Sequence, residues 1–141
     1  MGELNPYYVS GFCDGEASFV IAKNGGQHVP FFALKLRIDE KPLLDSIMAF
    51  FGCGRIYTYG HNPKAKHYSA KRRPVCFYKV TKLLDLEDNI VSHFSRYPLA
   101  GKKAQAFAEW KKLVRMAIEG VHLEGGAIYK AQVDLLRRLY Q

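Results

Sequence analysis

Between residues 30 and 38 apolar and polar side chains take turns. Phe32, Leu34, Leu36 and Ile38 fall on one side of an extended chain, and Phe31, Ala33, Lys35 and Arg37 on the other. A period of two predicts a strand with one buried and one open face. A second run starts at Ser18-Phe19-Val20-Ile21 and stops at the turn signal Asn24-Gly25-Gly26, giving a strand over 18–24. Two more strands are expected. In the one at 54–59, Ile56 points inward and Arg55, Tyr57 and Tyr59 outward. In the one at 75–81, Cys76, Tyr78 and Val80 oppose Phe77, Lys79 and Thr81.

Elsewhere the period is helical. Asn5-Pro6 opens a helix over about 6–15, because Asn caps well and Pro at the first helical position lacks only an N–H that would be unpaired anyway. Leu43, Leu44, Ile47, Met48, Phe50 and Phe51 form the apolar face of a second helix, capped by Asp39 and closed by Gly52. Further helices are expected at about 82–95, 102–118 and 126–140, parted by Tyr97-Pro98-Leu99 and by Gly125-Gly126. The order helix, two strands, helix, two strands, helices describes an α+β domain over residues 1–141. Helices on one sheet face leave the other open to a ligand.

Charge sharpens that picture. The 141 residues carry 21 basic and 13 acidic side chains, a net charge of +8. No acid lies between Asp45 and Asp85, a stretch that holds Arg55, Lys64, Lys66, Lys71, Arg72, Arg73, Lys79 and Lys82. Five of these fall in a long polar segment, 60–74, which reads as a loop. A basic stretch inside a folded domain suits a polyanion, although a solvated surface would look the same. Cys13, Cys53 and Cys76 are scattered and match no zinc spacing, which points to reduced, buried thiols. No apolar run approaches the roughly 20 residues needed to span a bilayer, so no membrane partner is expected. The start, Met-Gly-Glu-Leu-Asn, has no features of a targeting segment.

The most informative stretch is Tyr8-Val-Ser-Gly-Phe-Cys-Asp-Gly-Glu-Ala-Ser-Phe19. A short helix bearing Gly11 and Gly15 on one face ends in two carboxylates, Asp14 and Glu16, and a strand begins at once. Residues 9–17 resemble the nine-residue signature of the LAGLIDADG homing endonucleases, with Ala17 where that family usually has glycine. Similar segments continue through 32–51 with Phe51-Gly-Cys-Gly54, Tyr78-Lys-Val-Thr-Lys82 and Tyr97-Pro-Leu99.

The resemblance implies an αββαββα domain whose four-stranded antiparallel sheet carries helices on one face and an open, DNA-binding face on the other. It also implies a site-specific endonuclease that makes a double-strand break in a long, near-palindromic target. Glu16 would be the metal-binding and catalytic acid, with the Gly15 carbonyl also facing a divalent ion, Mg2+. Lys103 would be a lysine near the reaction centre. Leu36 occupies a position that is often a glutamine ordering water. Because each chain has one motif, two copies would pack through Gly11, Asp14 and Gly15 as a homodimer. The DNA-binding set would comprise Ser18, Val20, Ala22 and Asn24, then Phe31, Ala33, Lys35 and Arg37, then Arg55, Tyr57, Phe77, Lys79 and Thr81. The loop cations Lys64, Lys66, Lys71, Arg72 and Arg73 would hold phosphates. Double-stranded DNA is the expected partner, in a mitochondrial or chloroplast setting. An intron RNA bound by a maturase, or DNA bound by a catalytically silent protein, would suit the same fold and charge.

Overall fold

The computed structural model describes residues 3–25, 27–60, 62–66, 68–120 and 127–140. In chain order the elements are α1 (Pro6–Glu16), β1 (Ala17–Asn24), β2 (Gln27–Arg37), α2 (Lys41–Phe51), β3 (Arg55–Tyr59) and β4 (Val75–Val80). There follow α3 (residues 83–96), α4 (Lys103–Ile118) and α5 (Ala127–Leu139). The strands form one antiparallel sheet in the order β1-β2-β4-β3.

The predicted alternation decides which sheet face is covered. Phe19, Phe32, Leu34, Leu36, Cys76, Tyr78 and Val80 are buried on one face. They share a core with Leu44 and Ile47 of α2, Leu86, Ile90 and Phe94 of α3, and Phe107, Trp110 and Leu113 of α4. The ring of Phe19 sits at the centre, 5.1–5.6 Å from those of Trp110, Phe107, Phe32 and Phe94. Aromatic pairs at such distances add about 0.5–1.5 kcal/mol each beyond area burial.

Several boundaries differ from expectation for identifiable reasons. Asp39 does not cap α2. Residues Ile38–Glu40 form a short, tight turn of helix, and the Asp39 carboxylate takes a bond from Arg37 instead (3.2 Å). At the other end Gly52 closes α2 as predicted, in a left-handed conformation (φ 74°) that returns its N–H to the Met48 carbonyl. β2 starts at Gln27, three residues before Pro30. Pro30 is tolerated because it lies beyond the last β2–β4 pair, Phe32–Val80, so its missing N–H faces no strand. α3 is one helix with a wider turn over Leu86–Val91, which brings Leu86, Ile90 and Val91 into the core. The Gly125-Gly126 loop lies outside the described residues.

The C-terminal helix is placed by contacts distant in sequence. The Tyr140 hydroxyl donates to the Phe19 carbonyl (2.9 Å) and accepts from the Phe19 N–H (3.2 Å), satisfying both outward main-chain groups of that edge-strand residue. The Trp110 indole N–H adds a bond to the Val20 carbonyl (3.1 Å), and the Tyr129 hydroxyl donates to the His28 carbonyl. α4 and α5 thereby fix β1, the strand that leaves the motif. Among the described residues no helix is long and apolar enough to cross a membrane.

Candidate nucleic-acid interface

The motif helix α1 starts as its sequence requires. The Asn5 side chain accepts from the Tyr7 N–H (2.8 Å), and Pro6 takes the first position. Val9, Ser10 and Cys13 face the protein. Ser10 Oγ donates to the Tyr97 carbonyl (2.6 Å) and lies 3.0 Å from His93 Nε2. Since the serine proton goes to the carbonyl, the neutral His93 ring donates from Nε2. Burial among the rings of Phe50, Phe51, Phe94 and Tyr97 lowers the His93 pKa to about 4. Burial likewise pushes the Cys13 thiol up to about 12, partly opposed by the charge of Lys103.

The opposite side of α1 has no cover. Gly11 and Gly15 are exposed, and a Cβ added at either would meet nothing within 4 Å. Neither glycine has a positive φ. Tyr7 and Tyr8, on the same helix, are 70% and 45% exposed. Within this chain, then, neither packing nor backbone geometry calls for glycine at 11 and 15, yet each costs a helix about 1 kcal/mol relative to alanine.

At the end of α1 the two acids diverge. Glu16 is exposed and has no ion-pair partner among the described residues. Asp14, expected at a contact between copies, binds the backbone of its own chain. Its carboxylate accepts from the N–H groups of Ala100 (2.8 Å) and Gly101 (3.1 Å), just before α4. That link puts Lys103, the first residue of α4, beside the last turn of α1. Ala17 is fully buried at φ −79°, a conformation that asks for no glycine, so the departure from the signature does not strain the backbone. Leu36 sits on the core face opposite Cys76 and is 6% exposed, so it cannot order water at an open site.

The open sheet face is built in rows by the strand register. Ser18, Ala33, Lys79 and Arg55 lie side by side across all four strands. Lys35, Phe77 and Tyr57 form the next row, and Arg37, Val75 and Tyr59 the one after. On the other flank Val20 opposes Phe31, and Ala22 opposes Val29. Lys35, Arg37, Arg55 and Tyr57 are exposed; Ser18, Val20, Ala22, Phe31, Phe77 and Lys79 are half-buried. Four of the expected residues need comment. Ala33 points the right way but is only 8% exposed, because larger neighbours in its own and adjoining rows rise above it, so it is floor rather than contact. Arg37 is paired with Asp39. Thr81 lies past the end of β4, although it is exposed at the edge of the same face. The Asn24 side chain lies outside the described residues. Val29 and Tyr59 belong to this face and are absent from the expected set. The period of two running on from Tyr57 marks Tyr59, whereas Val29 was hidden by starting β2 at Pro30.

Lys64, Lys66, Lys71, Arg72 and Arg73 are all exposed, on a loop of short turns such as Asn62 to Ala65 and Ser69 to Arg72. None has an ion pair among the described residues. No group of three or more His, Cys, Asp or Glu gathers among the described residues. The expected cation ligands, the Glu16 carboxylate and the adjoining Gly15 carbonyl, would be an oxygen-only set of the kind that suits Mg2+ or Ca2+, incomplete in a single chain.

Comparison with known proteins bears on this geometry. A family model described as LAGLIDADG endonuclease matches residues 9–114. Of curated proteins, "Probable intron-encoded endonuclease 3" of Neurospora crassa is 28% identical over 142 residues, covering 96% of this chain and 24% of that protein. "Probable intron-encoded endonuclease 2" of the same fungus is 30% identical over 116 residues, covering 82% and 23%. The chain thus spans about a quarter of the length of these relatives. Among solved structures, the homing endonuclease I-GzeII in complex with its DNA target superposes with a TM-score of 0.76 at 25% identity, over 96% of this chain and 43% of that one. I-SmaMI bound to uncleaved DNA in the presence of calcium ions gives 0.74 at 22% identity, over 94% and 43%, and shares the fold. From the signature at residues 9–17 to the αββαββα sheet, this chain belongs to the LAGLIDADG endonuclease family.

Proposed function

We propose that two copies of this chain pair through the bare face of α1 to form a metal-dependent endonuclease that cuts both strands of a near-palindromic DNA duplex. The observation that carries this reading is the pair of helix-interior glycines, Gly11 and Gly15, which serve nothing within the chain and leave room for a second backbone. Glu16 stands at the end of that bare face. Pairing about a two-fold axis would bring two Glu16 carboxylates together and complete an oxygen set that one chain only begins. Coverage of 43% of the solved neighbours leaves room in each for a second unit of this size.

Glu16 and the Gly15 carbonyl would hold the divalent ion. When bound, such an ion neutralises charge on the attacking and leaving oxygens of a phosphodiester. The chain's own contributions are separate. Asp14 ties α1 to the start of α4, Lys103 brings positive charge near Cys13 in the last turn of α1, and the Tyr140 and Trp110 bonds hold β1 steady where it leaves the motif. The sheet face reads base edges in the major groove, and the loop cations grip phosphates without regard to sequence. The intron-encoded relatives support an origin in an intron.

The test incubates the protein and Mg2+ with a randomised duplex pool and sequences the cut ends, with the mass in solution measured alongside. The expected result is a dimer and paired cuts within an inverted-repeat consensus. A monomer that makes double-strand breaks overturns the pairing.

A further inference from the structure

One cation on the open face is held in a way the others are not. The Lys79 ammonium lies 5.4 Å from the centre of the Phe77 ring, 5.7 Å from that of Tyr57 and 5.8 Å from that of Phe31. Phe77 also faces Lys35, at 5.7 Å. A lysine on a four-carbon stem normally sweeps a wide arc. Here three rings from three strands restrict it. They attract the charge but accept no conventional hydrogen bonds, so the three N–H donors remain for something else. The cation is also not neutralised. Its cross-strand partner on β3 is Arg55, and like charges directly opposite on neighbouring strands destabilise a sheet. Neither has an ion pair among the described residues.

Beside this caged cation the face dips into a hollow of about 360 Å³. Ala22, Val29, Pro30, Phe31 and Thr81 line it, with Lys79 forming one wall and Lys23 at its margin. Its lining is mostly apolar, on a surface where solvated polar residues would be the ordinary choice. A held donor next to an apolar recess fits the major-groove edges of two neighbouring base pairs. Guanine offers two acceptors there, N7 and O6, and thymine offers a methyl group. Adenine and cytosine each show an amino donor, which an ammonium cannot satisfy.

Resting on the duplex-DNA reading above, we propose that Lys79, positioned by Phe31, Tyr57 and Phe77, sets base preference by reading a guanine whose neighbouring thymine methyl enters the hollow over Ala22 and Val29. Phe31 serves both parts of the site, as wall of the hollow and as one ring of the cage.

The test is a binding selection from a randomised DNA duplex pool, run with the wild-type chain and with Lys79→Met, Lys79→Gln, Tyr57→Phe and the double variant Tyr57→Leu/Phe77→Leu. In the wild-type profile each half-site should contain a guanine column with thymine beside it. Either Lys79 change should cut discrimination at that column about tenfold and leave the remaining columns standing. The double variant, which keeps Lys79 but opens its cage, should relax the same column; Tyr57→Phe, which keeps the ring, should not. Replacing the adjacent thymine by deoxyuridine removes only the methyl and should weaken wild-type binding about fourfold. Enrichment of a consensus that lacks this column, or one untouched by both Lys79 changes, overturns the proposal while leaving the DNA reading intact. If no duplex is enriched, the DNA reading itself fails and the proposal falls with it.

Discussion

Two surfaces of this molecule are left bare by its own packing, and they differ in kind. The outer side of α1 is small and uncharged at its centre, with Gly11 and Gly15 one helical turn apart and a Cβ's worth of free space over each. The open side of the sheet is aromatic and cationic, with Lys79 and Arg55 side by side and neither ion-paired among the described residues. A surface that gives up side chains invites another backbone to approach closely. A surface that gathers unneutralised cations at a cost in stability suits a polyanion. Glu16 stands where the two meet, at the end of the first surface and the start of β1 in the second. The two surfaces should therefore fail separately when mutated, and only Glu16 should link them.

The largest expected effect is at that junction. Glu16→Gln keeps the size of the side chain and removes its charge. Cleavage should disappear while the affinity for duplex DNA, measured by titration without turnover, stays within about twofold, since a surface substitution seldom costs more than ~0.5 kcal/mol. Undiminished cleavage by this variant would remove Glu16 from the chemistry. Next is Gly11→Leu, which fills the bare side of α1. Sedimentation should show separated chains, with the helical content kept because leucine is the better helix former. A dimer that tolerates the leucine would show that α1 is not the contact.

Smaller, and confined to the other surface, is the effect of Arg72→Ala with Arg73→Ala. Loop cations touching phosphate should weaken binding to all sequences alike and flatten the slope of log K against log salt by nearly one unit per lost contact, about two in all. A changed base preference would mean that the loop enters the groove. The smallest effect concerns how α1 is seated. His93, bonded to Ser10, has a folded pKa of about 4, below that of an unfolded histidine. The unfolded chain therefore takes up the proton first. The stability from keeping His93 neutral is fully present above about pH 6.5 and is lost as pH falls toward 4. It amounts to about 3 kcal/mol at most, less where solvent reaches the ring. Denaturation of wild type and His93→Asn at pH 7 and pH 4.5 checks this: the gap between the two proteins should narrow in acid. A constant gap would show that His93 does not titrate in this window.

Much of the architecture is legible in the sequence because it is set by local rules. Period-two runs fixed which face of β2 and β4 is buried, Asn5-Pro6 fixed the start of α1, and Gly52 marked the end of α2. What escaped depends on partners far along the chain. Asp14 binds the backbone of residues 86 and 87 positions away, and Tyr140 reaches Phe19 across 121. No periodicity encodes such pairings. The edge geometry that lets β2 carry Pro30 is equally invisible, since it depends on where β4 stops pairing. Direction along a strand could be read, but height above the sheet could not: Ala33 faces the open side and is still buried beneath its neighbours. The aromatic cage of Lys79 draws rings from three strands, and needed their register to be recognised.

The most direct test of the central claim, that two motif helices must meet for both strands to be cut, is a subunit-mixing experiment. Wild-type and Glu16→Gln chains are mixed in varying proportion at constant total concentration, unfolded and refolded together, and assayed for double-strand cleavage of a duplex recovered from the random pool. If each break needs a Glu16 from both copies, activity should fall as the square of the wild-type fraction, with singly nicked duplex appearing at intermediate mixtures. A linear fall without nicked product would mean that one chain makes the double-strand break by itself, and would contradict the account.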